Sequence, residues 1–85
     1  MEYPKLREGQ FALAVAKSDT GHVLNLEGSV SNSDQDMIYH VFSSLDVVYD
    51  FIRSRIIEDD TLEFCIYDKD QEIVRYFQNI EARSI

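Results

Sequence analysis

The stretch SSLDVVYDFIRSRIIEDD, residues 43–60, decides the fold of this 85-residue chain. Its apolar side chains recur at intervals of three and four residues, which places them within an arc of about 100° on a helical wheel. The stripe consists of Leu45, Val48, Tyr49, Ile52 and Ile56. Ser43 has the chemistry of an N-cap, and the acidic run at 58–60 opposes the negative end of a helix dipole. The sequence therefore predicts one amphipathic helix from Ser43 to about residues 58–60.

Alternating patterns on both sides of this helix predict β-strands. The predicted strands cover residues 10–17, 22–27, 36–42, 61–67 and 72–77. The first two form a hairpin around Gly21, because glycine readily adopts the positive φ of a tight turn. Residues 28–35 are rich in turn formers and predict a loop, and residues 68–71 predict a hairpin connection.

The predicted order of elements is therefore β-β-β-α-β-β. A single amphipathic helix must bury its stripe against another element, and an antiparallel sheet is the only large partner available. We expect an α+β fold of two layers, with a five-stranded, mainly antiparallel sheet and the helix packed on one face. Residues 1–9 read as a polar, loosely held N-terminal lead-in, and residues 10–85 as a single domain.

The first predicted strand is apolar on both faces, which is typical of a central strand. Large side chains alternate with small ones along it. The large set is Phe11, Leu13 and Val15, and the small set is Ala12, Ala14 and Ala16. We expect another element, such as the helix, to approach the alanine side closely.

The charge, the cysteine count and the length of the apolar runs limit the binding partners, the disulfides and the cellular location that we expect. The formal net charge of −8 disfavours binding to nucleic acid and to anionic membrane surfaces. Cys65 is the single cysteine, so an intrachain disulfide is excluded. No apolar run has the length of a signal peptide or a membrane span, so we expect a cytoplasmic protein.

Three short patterns resemble chemical sites, and each has a simpler explanation. Asp19-Thr20-Gly21 matches the short motif of aspartic proteases, but these residue types also make a tight turn. The acids at 68, 70 and 72 lack the spacing of a calcium loop. His22, His40 and Cys65 are too dispersed to predict a metal site or a nucleophilic pair. We therefore expect no catalytic residue, no bound metal and no cofactor.

Surplus apolar surface is the most informative feature of the sequence. One helix cannot cover both faces of the predicted sheet, and Tyr39, Val41, Val74 and Tyr76 are candidates for the uncovered face. On the helix, Val47 and Phe51 lie roughly opposite the stripe and are rimmed by charge, which suits a second binding patch. Alternatively, Phe51 folds back against the sheet margin and Val47 is an ordinary exposed residue.

The leading hypothesis is a small non-enzymatic interaction module that self-associates or docks a protein partner through a sheet face or edge. A second hypothesis is an acidic inhibitor or immunity-like protein that neutralises a basic partner, suggested by the charge of −8. A third is a small-ligand sensor with a pocket lined by Tyr49, Phe64 and His40. A homodimer is compatible with the first hypothesis, and strand order is left open.

Overall fold

A computed structural model describes residues 3–31 and 36–85 of the chain. Its strands are β1 (Phe11–Lys17), β2 (Tyr39–Phe42), β3 (Leu62–Tyr67) and β4 (Ile73–Phe77), and its helices are α1 (Leu45–Glu58) and α2 (Asn79–Ala82). The strands form one antiparallel sheet in the order β2-β1-β3-β4. The predicted α+β class with an antiparallel sheet is confirmed, but the sheet has four strands and not five.

Residues 22–27 do not form the strand that the sequence predicts. Along that edge of β1, strand β2 already pairs with residues 11–14, so little of the edge is left for another strand. The Leu24 N–H donates to the Val15 carbonyl at 2.8 Å, and the chain then reverses at Asn25, whose side chain accepts from two backbone N–H groups. The segment therefore contributes isolated bridges and one buried side chain, Leu24, and no fifth strand.

Other boundaries differ less. The strand predicted over 36–42 begins only at Tyr39. Part of the loop predicted over 28–35, residues 32–35, lies outside the described residues. The closing hairpin agrees with the prediction, because β3 ends at Tyr67 and β4 begins at Ile73. Gly21 adopts a φ of 76° in the first turn, as expected for that residue.

Helix α1 begins one residue later than predicted. Ser44, and not Ser43, is the N-cap, and its hydroxyl accepts from the Val47 N–H at 3.3 Å. Adjacent serines offer the same capping chemistry, so sequence alone does not distinguish them. The helix ends at Glu58, within the predicted range.

The core lies on one side of the sheet only. The α1 stripe packs there against the large side chains of β1 and β3. Residues of this cluster that are almost fully buried include Leu13, Val15, Val48, Ile52, Phe64 and Ile66. The helix therefore contacts the large side of β1 and not the alanine side, which corrects the expectation for the alanines.

An ion pair joins the end of β1 to the end of α1. The Lys17 ammonium lies 2.7 Å from Asp59 Oδ2, and Thr61 donates to Asp59 Oδ1 from its backbone N–H at 3.0 Å and its hydroxyl at 2.6 Å. The bond from Lys17, followed by those from Thr61, lowers the pKa of Asp59 to about 2. The charged carboxylate thus stabilises this corner of the fold.

Because the pKa of Asp59 is lowered in the folded state, its contribution is present above its ordinary value of 3.8 and disappears as the pH falls toward about 2. We expect Asp59→Asn to lower the free energy of unfolding at pH 6.5, and the difference from the wild type to shrink at pH 2.5. Urea denaturation of both proteins at the two pH values measures this. A difference that is the same at both would contradict the assigned role of the carboxylate.

Candidate interaction surface

The sheet face that points away from α1, called here the open face, is the candidate functional site. Strand alternation and the pairing register determine its members on β1, β2 and β3. On β4, Tyr76 pairs with Cys65, and alternation from Tyr76 adds Val74. A register shift next to Val74 brings the exposed Ile73 opposite Tyr67. The members are Ala12, Ala14, Ala16, Tyr39, Val41, Glu63, Cys65, Tyr67, Val74 and Tyr76. The face is built of alanines along β1, flanked by larger side chains on the neighbouring strands.

The open face carries little charge for so acidic a chain. Glu63 is the only charged residue among its members, and its carboxylate accepts from the Tyr76 hydroxyl at 2.7 Å. This bond, followed by partial burial, raises the pKa of Tyr76. Acids elsewhere are exposed on the outer side of α1, as at Asp50 and Glu58. The other charged strand residues, Lys17 and Arg75, pair with Leu62 and Ile66 and therefore belong to the opposite face of the sheet.

The N-terminal segment covers one part of the open face. Tyr3 contacts Tyr39 and Tyr67 edge to face, with ring centroids 4.9 and 6.1 Å apart, and its hydroxyl donates to the Asp68 carbonyl at 2.6 Å. Burial, with Tyr39 and Asp68 nearby, raises the pKa of Tyr3 to about 12. Ala12, which has Tyr67 opposite it on β3, is fully buried. This segment is docked, whereas the sequence predicted a loosely held lead-in.

The rest of the alanine strand forms the floor of a shallow groove. The groove has a volume of about 150 Å³ and is lined mainly by open-face side chains. Side chains of Ala14, Ala16, Val23, Cys65, Tyr67 and Tyr76 surround it, with Glu63 at its margin. A hydrogen bond with Cys65, followed by burial, raises the pKa of Tyr67 in the groove wall.

Four of the six predicted interface residues lie on the open face. Val41, Val74 and Tyr76 remain 45%, 37% and 44% exposed. Tyr39 is partly buried, because it packs against Tyr3. The structure therefore brings these four residues onto one surface.

Val47 and Phe51 lie on α1 and not on the open face. Val47 is 45% exposed on α1. Phe51 is partly buried against β2, with its ring centroid 4.8 Å from that of His40 and 5.2 Å from that of Phe42. Burial, followed by the charge of Arg55, lowers the pKa of His40 in this cluster. Of these two residues, Val47 is the exposed one, and Phe51 folds toward the sheet margin as the alternative interpretation expected.

The three residues of the predicted ligand pocket take part in packing. Phe64 is fully buried, Tyr49 contacts Phe77 edge to face at 6.0 Å, and His40 packs on Phe51. The small-ligand hypothesis stays a prediction.

The motifs that resembled chemical sites lie in turns. The Gly21 N–H donates to the Lys17 carbonyl, and the Thr20 hydroxyl accepts from the backbone N–H of His22. The Asp68 carboxylate accepts from the backbone N–H groups of Asp70 and Glu72. Within residues 3–31 and 36–85, no three His, Cys, Asp or Glu side chains gather as a metal site.

Two features of the surface were not predicted: the docking of Tyr3 and the groove beside it. Both depend on which strands lie next to β1, and strand order was left open. The alternation of alanines with large residues did signal one shallow side of β1. This alternation did not predict which segment of the chain would pack on the alanine side.

The chain matches no protein-family model, no curated protein and no solved structure. Among the described helices, none is long and apolar enough to cross a membrane.

Removing parts of Tyr3 tests whether the N-terminal segment is anchored. Tyr3→Phe loses the bond to Asp68 and should lower the free energy of unfolding by about 1 kcal/mol. Tyr3→Ala also loses the ring contacts and should cost about 2–3 kcal/mol in total. Chemical denaturation at pH 7 measures both differences, and no effect of Tyr3→Ala would contradict the docking. Because the pKa of Tyr3 is raised, the advantage of the wild type over Tyr3→Phe should decline between pH 10 and 12.

Proposed function

We propose that this protein is a small non-enzymatic interaction module that forms a homodimer through its open face. The observation that carries the proposal is the contrast between a nearly uncharged sheet face and a chain of net charge −8. Val41, Val74 and Tyr76 stay substantially exposed on that face. Apolar side chains grouped on one surface mark contact sites more often than single exposed ones do.

The charge distribution supports a second copy as the occupant. When two open faces meet, the helix layers lie on the outside of the dimer, so the exposed acids of α1, such as Asp50 and Glu58, are far apart. Sheets pack face to face about 10 Å apart, and the inner side chains of both fill the space. A basic partner, by contrast, has only Glu63 to attract it on this face.

The size of the face predicts a weak dimer. Four strands of four to seven residues cover roughly 400 Å² at ordinary strand spacing. Stable interfaces usually bury about 800 Å² on each partner. We therefore expect association in the micromolar to millimolar range, where concentration regulates the monomer–dimer equilibrium.

The acidic inhibitor hypothesis stays as the alternative, and salt distinguishes the two proposals. Two copies of charge −8 repel each other, so added salt should strengthen self-association. Complementary charges attract a basic partner, so added salt should weaken that complex.

Sedimentation equilibrium from 10 µM to 1 mM, at low and high salt, tests the homodimer. We expect a reversible dimer in the wild type that tightens with salt. Val74→Lys should abolish the dimer, because it places a charge in the apolar interface. A wild type that is monomeric throughout the range would overturn the proposal.

Val47→Lys is the matched control. It introduces the same charge on the outer side of α1 and, like Val74→Lys, raises the net charge from −8 to −7. The lower net charge reduces the repulsion between copies equally in both variants. If only Val74→Lys loses the dimer, the loss is therefore a local effect at Val74. We expect Val47→Lys to dimerise like the wild type. If Val47→Lys loses the dimer and Val74→Lys retains it, the interface lies on the helix, and the proposed interface on the open face is wrong.

A further inference from the structure

The groove on the open face is large enough for one aromatic ring. Its volume is about 150 Å³. A cavity of about this volume in another protein admits benzene. The floor is formed by Ala14 and Ala16, so the walls of Tyr67 and Tyr76 stand above it.

The neighbouring part of β1 has an aromatic ring in the equivalent place. Tyr3 contacts the rings of Tyr39 and Tyr67, which flank β1 on its two neighbouring strands. Ala12, opposite Tyr67, is fully buried. The chain thus fills one stretch of its alanine strand with a tyrosine of its own and leaves the adjacent stretch, at Ala14 and Ala16, open. Because a tyrosine ring occupies the first stretch, we expect the groove over the second stretch to accept an aromatic side chain as well.

One exposed aromatic side chain can supply that ring from a second copy. Tyr76 is 44% exposed, whereas the other aromatic side chains of residues 3–31 and 36–85 are buried or partly buried. Tyr76 also lies in the same row of the sheet as the groove. Across that row, Ala14 is opposite Cys65, and Cys65 is opposite Tyr76.

We propose that in the homodimer Tyr76 of each copy inserts into the Ala14–Ala16 groove of the other, about a two-fold axis that runs along the strands above Cys65. Such an axis exchanges the two ends of the row, so both contacts form together, as symmetric interfaces require. It also keeps the strands of the two sheets aligned, which is the common arrangement of packed sheets. This inference deepens the proposed function and rests on it.

The exchange leaves no polar group without a partner. In one copy the Tyr76 hydroxyl donates to Glu63, and Glu63 lies at the margin of the groove. A Tyr76 that enters the groove of the second copy therefore meets the equivalent carboxylate. One intramolecular hydrogen bond is replaced by one intermolecular hydrogen bond of the same kind, so a buried tyrosine keeps its acceptor.

Two variants that complement each other test the pairing. Ala14→Leu fills the groove, and Tyr76→Ala removes the ring. Each should weaken the homodimer at least tenfold, because both symmetric contacts are lost. In an equimolar mixture, Tyr76 of the Ala14→Leu chain meets the groove of the Tyr76→Ala chain, which keeps its Ala14–Ala16 floor and its Tyr67 wall. The filled groove of the Ala14→Leu chain then faces no ring. We expect the mixture to recover association to within a few-fold of the wild type in sedimentation velocity.

Tyr76→Phe keeps the ring and should associate nearly as the wild type does. Circular dichroism and thermal melting of every variant establish that each is folded. If Ala14→Leu and Tyr76→Ala dimerise like the wild type, or if their mixture stays dissociated although both are folded, the pairing is wrong. A monomeric wild type instead removes the proposed function itself, so the two failures are distinguishable.

Discussion

The structure depends on the one-sided packing of α1 against the sheet. Leu13, Phe64 and Ile52 are almost fully buried where the helix meets β1 and β3. The chain has no second long helix among its described residues, and α2 has only four residues. One face of the sheet is therefore buried in the core, while the chain itself covers the other face only in part. The proposed homodimer follows from this difference in coverage between the two faces of the sheet.

The chain itself covers part of the open face and leaves the rest exposed. Tyr3 packs against the rings of Tyr39 and Tyr67 and donates a hydrogen bond to the Asp68 carbonyl. Ala12 on the same face is fully buried. Beyond it the surface stays apolar and shallow, with Tyr76 standing at its margin. Exposed acids such as Asp50 and Glu58 belong to the helix layer and not to this face. Partial coverage makes a weak and reversible contact more reasonable than a permanent one.

Local patterns predicted much of the fold. The 3.6-residue period located α1 and its buried stripe, and two-residue alternation located β1, β3 and β4. The failures were non-local. Residues 22–27 have the alternation of a strand, but the pairing of β2 with β1 leaves them too little edge. The N-cap was misplaced by one position, because Ser43 and Ser44 have the same capping chemistry.

The candidate surface was only partly predictable for the same reason. Alternation was enough to expect Val41, Val74 and Tyr76 on one uncovered face. The docking of Tyr3 and the packing of Phe51 on His40 depend on strand order, which local sequence does not encode. The groove likewise exists because β3 places Cys65 opposite Ala14 and β4 places Tyr76 opposite Cys65.

The central claim is that the uncovered side of the sheet is a contact surface. Backbone amide NMR spectra recorded over a hundredfold dilution test it most directly, because they report each residue separately. The account predicts concentration-dependent shifts on the open face, at Ala14, Cys65 and Val74, and constant shifts on the outer side of α1, at Val47 and Ile57. Spectra that do not change with concentration, or changes confined to α1, would contradict it.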